Sequence, residues 1–129
     1  MIKAGILNPQ INSLISRVRH TNTLVIADRG FPFWPEIETI DISLVDDLPT
    51  VLQVLQAIRL NFVAGRAWMA REFSKSNCIK TRSAFTQALH GIELQYEPHV
   101  QFKRRVPRAI GLIRTGDVIQ YANIILESA

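Results

Sequence analysis

Residues Thr23-Leu24-Val25-Ile26-Ala27 form a short β-branched run with no polar residue after its first position. A strand exposed on one side alternates polar and apolar positions, so an unbroken run fits a strand covered on both faces. That constrains the whole chain, because a sheet buried on two sides needs helices packed against it.

The surrounding sequence supplies the helices and further strands. Asn8 can cap free backbone donors and Pro9 suits a first helical turn, while Ile11, Leu14, Ile15 and Val18 recur at helical spacing; this helix should fade near His20. Asp28-Arg29-Gly30-Phe31-Pro32 breaks the apolar strand. A second strand is expected over Glu38 to Val45, and Pro49 opens a helix through about Leu60 with Val51, Leu55 and Ile58 on its apolar stripe. Arg66 to Arg71 reads as a third strand leading into a helix around Thr81 to Leu89, which ends near Gly91. Ile92 to Tyr96 alternates as a strand, and the short helix begun by Pro98 must stop before Pro107. Strands at Ile110 to Arg114 and Tyr121 to Leu126 then surround Thr115-Gly116-Asp117. The alternation predicts an α/β fold, and 129 residues without repeat or linker predict one domain over residues 1–129.

With 47% hydrophobic and 20% charged residues, the balance is that of a globular chain. The longest apolar runs fall far short of the ~20 residues of a membrane span, and the amino terminus lacks the apolar stretch of a secretory signal, so a cytoplasmic location is expected. Cys78 has no internal disulfide partner and no neighbouring ligands at zinc spacing. Fifteen Lys+Arg against eleven Asp+Glu give +4, yet the basic residues are scattered apart from Lys103, Arg104, Arg105 and Arg108. A solvated helix face accounts for that cluster, and no nucleic-acid motif accompanies it. Phosphate-cradling, dinucleotide and nucleophile-elbow patterns are absent as well, which leaves proton-transfer chemistry.

Candidates for that chemistry are few. His90, beside Gly91 at a helix end, suits the negative end of the helix dipole. His20 and His99 lie at element boundaries with polar neighbours. Asp28 ends the first strand, where ligands gather in α/β folds, and could hold an imidazole or simply form a turn. His20, in the loop just before that strand, could meet it, within one chain or across a boundary. His99 and Lys103 are four residues apart and share a helix face, which a solvated surface explains equally well. Tyr121 and Asn123 are expected on one face of the last strand, and an amide in that apolar run needs a partner.

The stretch from His20 to Pro32 resembles the amino-terminal motif of the D-ribose pyranase and L-fucose mutarotase family, closer to the ribose branch. Ile40 to Leu44, His99 to Lys103, Ile113 to Asp117 and Tyr121 to Leu126 resemble later family segments in the same order. The resemblance implies a three-layer α/β/α fold with a mixed sheet of about six strands. It implies His20 as the catalytic acid/base, with Asp28, His99, Lys103, Tyr121, Ala122 and Asn123 binding a free monosaccharide. It further implies no metal or organic cofactor, and a homo-oligomer, a decamer of two pentameric rings, with sites between adjacent subunits. Neither nucleic acid nor membrane is an expected partner. Against the family pattern, Asn22 stands where an acid is common, Arg29 where a small residue is usual, and Phe31 where an aliphatic one is frequent. Arg29 could lower the Asp28 pKa, attract an anionic sugar or point into solvent.

The implied reaction agrees with that inventory, since opening a sugar ring needs only a proton removed from the anomeric hydroxyl and one delivered to the ring oxygen. Imidazoles, titrating near ~6.5, do both at neutral pH. The alternative is a non-catalytic sugar-binding or regulatory relative with the same fold.

Overall fold

The apolar run becomes β1 (Thr23–Ala27), in which Leu24 to Ala27 are all fully buried. The computed structural model, which describes residues 1–129, shows why. Leu24 and Ile26 face a core layer built with Ile11 and Leu14 of α1 (Pro9–Ser16) and with Val51, Leu55 and Ile58 of α2 (Val51–Arg59). Phe73 of α3 (Arg71–Ser76) and Phe85 of α4 (Ile79–Ala88) close the same layer, their rings tilted at 55° to each other with centroids 4.8 Å apart. Val25 and Ala27 point the other way, into a smaller core with Phe102 of α5 (His99–Arg105) and Val106 of the 3-10 turn Val106–Arg108. One strand thus serves two cores, and the fold has three layers.

The remaining strands are β2 (Glu38–Asp41), β3 (Ala64–Ala70), β4 (Glu93–Glu97), β5 (Gly111–Arg114) and β6 (Ile124–Ser128). They form one mixed sheet in the order β2-β5-β1-β6-β3-β4. Only β6 runs antiparallel to its neighbours, β1 and β3. The other five therefore point the same way, and their carboxyl ends gather along a single edge of the sheet.

Local chemistry fixes the helix starts. Asn8 Oδ1 accepts from the Ile11 amide, and Thr50 forms a reciprocal capping box with Gln53 at the start of α2. Several boundaries differ from the sequence reading. The first helix ends at Ser16, and residues 19–22 are a turn in which Asn22 Oδ1 accepts from the Arg19 amide. Strand β2 stops at Asp41, because Asp41 Oδ1 turns back to accept from both the amide and the hydroxyl of Ser43. Helix α3 was not expected; its six residues carry only one buried apolar side chain, Phe73, too few for a periodic signal. The basic helix does stop before Pro107, at Arg105, and Pro107 sits in the tighter 3-10 turn that follows it. The last strand begins at Ile124, three residues later than expected, so Tyr121 and Asn123 lie in the loop before it.

Candidate functional site

The gathered strand ends enclose an open cleft of about 450 Å³. Asp28 enters it from the end of β1, His99 from the start of α5 just beyond β4, and Asn123 from the loop before β6. Asp117 and Tyr121 line it from the segment that joins β5 to β6.

Asp28 is held by its backbone and its neighbours. Its amide donates to Asn123 Oδ1 at 2.7 Å, and its own Oδ1 accepts from the Gly30 amide at 2.9 Å. The Asn123 bond accompanies the start of β6 pairing at Ile124: the side chain takes the donor that a strand carbonyl would otherwise take. This buried amide thus has the partner that its position demanded, and a further side-chain hydrogen bond from it to the Asp28 carboxyl ties the two groups together. Burial raises the Asp28 pKa, and the nearby Asp117 charge adds to the rise, against the lowering by its hydrogen bonds. Arg29 does not lower it. That guanidinium turns outward to Asp46 at 2.6 Å, with more than half of each side chain exposed.

His99 sits in an aromatic surround. Its ring stacks on Phe102 at 6.0 Å and meets Tyr121 and Phe31 edge-on at 5.1 and 6.1 Å. Burial lowers its pKa, the Lys103 charge lowers it further, and Glu72 opposes both, so the ring stays neutral at pH 7. Nδ1 is buried without a partner in the chain, a polar atom left for a ligand. Glu72, at the start of α3, accepts the His99 amide at 2.9 Å and fixes the entry to α5.

Asp117 was not among the sequence candidates. It is almost wholly buried; Oδ2 accepts the Val51 amide at 2.8 Å, and Oδ1 accepts that of Ile119. It thereby joins the first turn of α2 to the cleft wall. A carboxylate at a helix amino terminus is favoured by the free donors there, but the partner, Val51, is 66 residues away and no local pattern announces it.

Not all expected site residues meet in one chain. Asp28, His99, Tyr121 and Asn123 converge. Lys103 follows His99 on α5 close enough for its charge to be felt, yet it does not line the cleft. Ala122 is fully buried in the larger core, so only its backbone can face a ligand. His20 is exposed before β1, at the other edge of the sheet. Five residues at about 3.3 Å each put the ends of β1 roughly 15 Å apart, so His20 and Asp28 of one chain do not meet. The sequence leaves open whether they meet within one chain or across a boundary, and the direction of the strand between them rules out the first.

The whole chain, residues 1–129, matches the model of the RbsD / FucU transport protein family. A D-ribose pyranase of Geobacillus kaustophilus is 40% identical over 128 residues, covering 99% of this chain and 93% of that protein. Another, of Laribacter hongkongensis, is 38% identical over 128 residues, covering 99% and 97%. Among solved structures, Bacillus subtilis RbsD complexed with D-ribose superposes with a TM-score of 0.93 at 30% identity, covering 100% of this chain and 98% of that one. The fucose mutarotase of Streptococcus pneumoniae in complex with L-fucose shares the fold, with a TM-score of 0.83 at 20% identity, covering 99% and 98%.

Proposed function

This chain belongs to the RbsD / FucU transport protein family, and on that premise we propose that it is a sugar isomerase interconverting cyclic forms of a free monosaccharide, D-ribose or a close relative. The observation that carries this reading is the cleft itself, where a carboxyl, a neutral imidazole, a phenol and an amide converge at one sheet edge of a fold shared with a ribose-bound protein.

The chemistry needs two proton movements. Removing the proton of the anomeric hydroxyl and protonating the ring oxygen breaks the bond between the anomeric carbon and that oxygen, leaving an open-chain aldehyde. Attack by a different hydroxyl gives the other ring size, and attack by the same hydroxyl on the opposite face gives the other anomer. Asp28, held at a raised pKa, accepts a hydrogen bond from one sugar hydroxyl, and the Asn123 amide and Tyr121 hydroxyl bond others. His99 offers Nδ1 as a further contact, burial and then the Lys103 charge favour its neutral form, and Ala122 contributes its backbone between Tyr121 and Asn123.

His20 is the acid/base group, and it is supplied by an adjacent copy. Its place at the opposite sheet edge supports a site shared between subunits, as in a decamer of two pentameric rings. Leu44, Val45 and Leu48 are exposed on the loop after β2, apolar surface that such an assembly would cover. No helix is long and apolar enough to cross a membrane. We assign the single domain, residues 1–129, to the cytoplasm, where an unpaired, exposed thiol such as that of Cys78 stays reduced.

The test is saturation-transfer NMR of ribose exchange. His20→Ala should slow exchange by about 10²- to 10⁴-fold with an unchanged fold, since His20 is exposed and packs no core. Exchange at the wild-type rate would remove His20 from the mechanism, and ribose binding without exchange in the wild type would mark a sugar-binding protein instead.

A further inference from the structure

Arg114, at the carboxyl end of β5, reaches the residue that follows Asp28. Its Nε and Nη2 donate to the Arg29 carbonyl at 3.0 and 2.7 Å, a two-pronged grip on one backbone oxygen. Nη1 donates to Asp41 Oδ2 at 2.8 Å and to Ser43 Oγ at 2.9 Å. The guanidinium thus has acceptors on all three nitrogens, and they lie on two different chain segments. Its neighbours are fixed in turn: Asp41 Oδ1 is bonded to Ser43, and Arg114, with Ser43, holds the Asp41 carboxyl below its ordinary pKa.

We infer that Arg114 is a positioning residue for the sugar site, fixing the Asp28 carboxyl by clamping the next peptide in the chain. The Arg29 carbonyl belongs to the residue directly after Asp28, in the middle of the turn that Asp28 Oδ1 closes onto the Gly30 amide. The Arg29 amide is held from the other side by the Asp117 carbonyl at 3.1 Å. The turn is therefore fixed at both groups of one residue, and the Asp28 backbone is fixed by Asn123. Arg114 does not line the cleft, so it touches no ligand there and acts through the turn. A planar fork can hold one carbonyl with two donors and still reach an acid. A lysine ammonium in the same place is a point charge that cannot reproduce the fork. Groups that position a binding residue matter because recognition degrades when its place shifts by a fraction of an ångström to an ångström.

This inference rests on the reading of Asp28 as a sugar-binding group, and the test separates the two. Ribose affinity of the assembled protein is measured by NMR titration for wild type, Arg114→Lys, Asp28→Asn and the double variant. Arg114→Lys should raise the ribose Kd about tenfold, and in the Asp28→Asn background it should add less than about twofold, because the carboxyl it positions is already gone. A role confined to stability would lower the melting temperature without this non-additive effect on Kd. Should Arg114→Lys fail to assemble, Ser43→Ala removes one acceptor, leaves every charge in place, and should give a smaller rise, about threefold, with the same non-additivity. If Asp28→Asn binds ribose as well as wild type, the reading of the site fails. If Asp28→Asn weakens binding while the Arg114 and Ser43 variants leave it unchanged, or add to it independently, the assignment of Arg114 is overturned.

Discussion

Asp28 is stabilised poorly in the form the site needs. Burial raises its pKa over that of the unfolded chain, so the native state binds a proton more tightly than the unfolded one. Below the ordinary carboxylate range both states are protonated and nothing is lost. As pH rises through that range and past the raised value, ionised Asp28 costs the fold stability. Asp28→Asn keeps an oxygen for the Gly30 amide and carries no charge; it should unfold at a higher temperature than wild type at pH 7, with the gain vanishing on acidification below about pH 4. Thermal melts across pH check this, and an equal or lower melting temperature at pH 7 would contradict it. His99 runs in the opposite sense, since its lowered pKa favours the native state above the ordinary imidazole range and loses that contribution in acid. The residues legible in sequence were those whose chemistry is unusual for their place: an amide in an apolar run, an acid closing a buried strand, a histidine opening a helix. Asp117 and Arg114 were missed as site components because their partners, Val51 and Arg29, are 66 and 85 residues away.

Elements were legible wherever local signals agreed with tertiary demand. β1 is covered on both faces, its composition says so, and its limits in the fold match the apolar run. Helix α3 and the late start of β6 could not be read, because one is a six-residue helix and the other depends on a bond between Asn123 and Asp28 across the fold. Between β5 and β6, Gly116 lets the loop after β2 approach closely. Its carbonyl accepts the Asp47 amide at 2.6 Å, its amide donates to the Pro49 carbonyl, and a β-carbon there would stand 2.3 Å from the Val45 carbonyl oxygen. Backbone on both sides leaves no room to yield. Gly116→Ala should therefore destabilise the fold by roughly 2–4 kcal/mol in denaturant titrations. A change under about 0.5 kcal/mol would mean that the loop adapts freely.

At the scale of the whole molecule, five parallel strands and one antiparallel strand decide where chemistry can occur. The sheet direction sends Asp28 and His99 to one edge and leaves His20 at the other. Mixing His20→Ala with Asp28→Asn subunits, unfolding them together and refolding, should restore about a quarter of wild-type exchange. That is the fraction of shared sites that receive an intact imidazole from one copy and an intact carboxyl from the next, when subunits combine at random. Two residues acting within the same chain would give no recovery. A layered α/β domain could be expected from the alternation of strands and helices, and its mixed sheet from the family resemblance; the separation of the two residues could not, because nearness in sequence across a strand becomes distance in space. A strand buried on both sides cannot fold back on itself, so no flexing of a solitary chain will ever join its own Asp28 to its own His20. If the proposed shared site holds, each newly made copy is inert by construction, and turnover becomes a property of encounter, awakened only once enough siblings have accumulated to find one another.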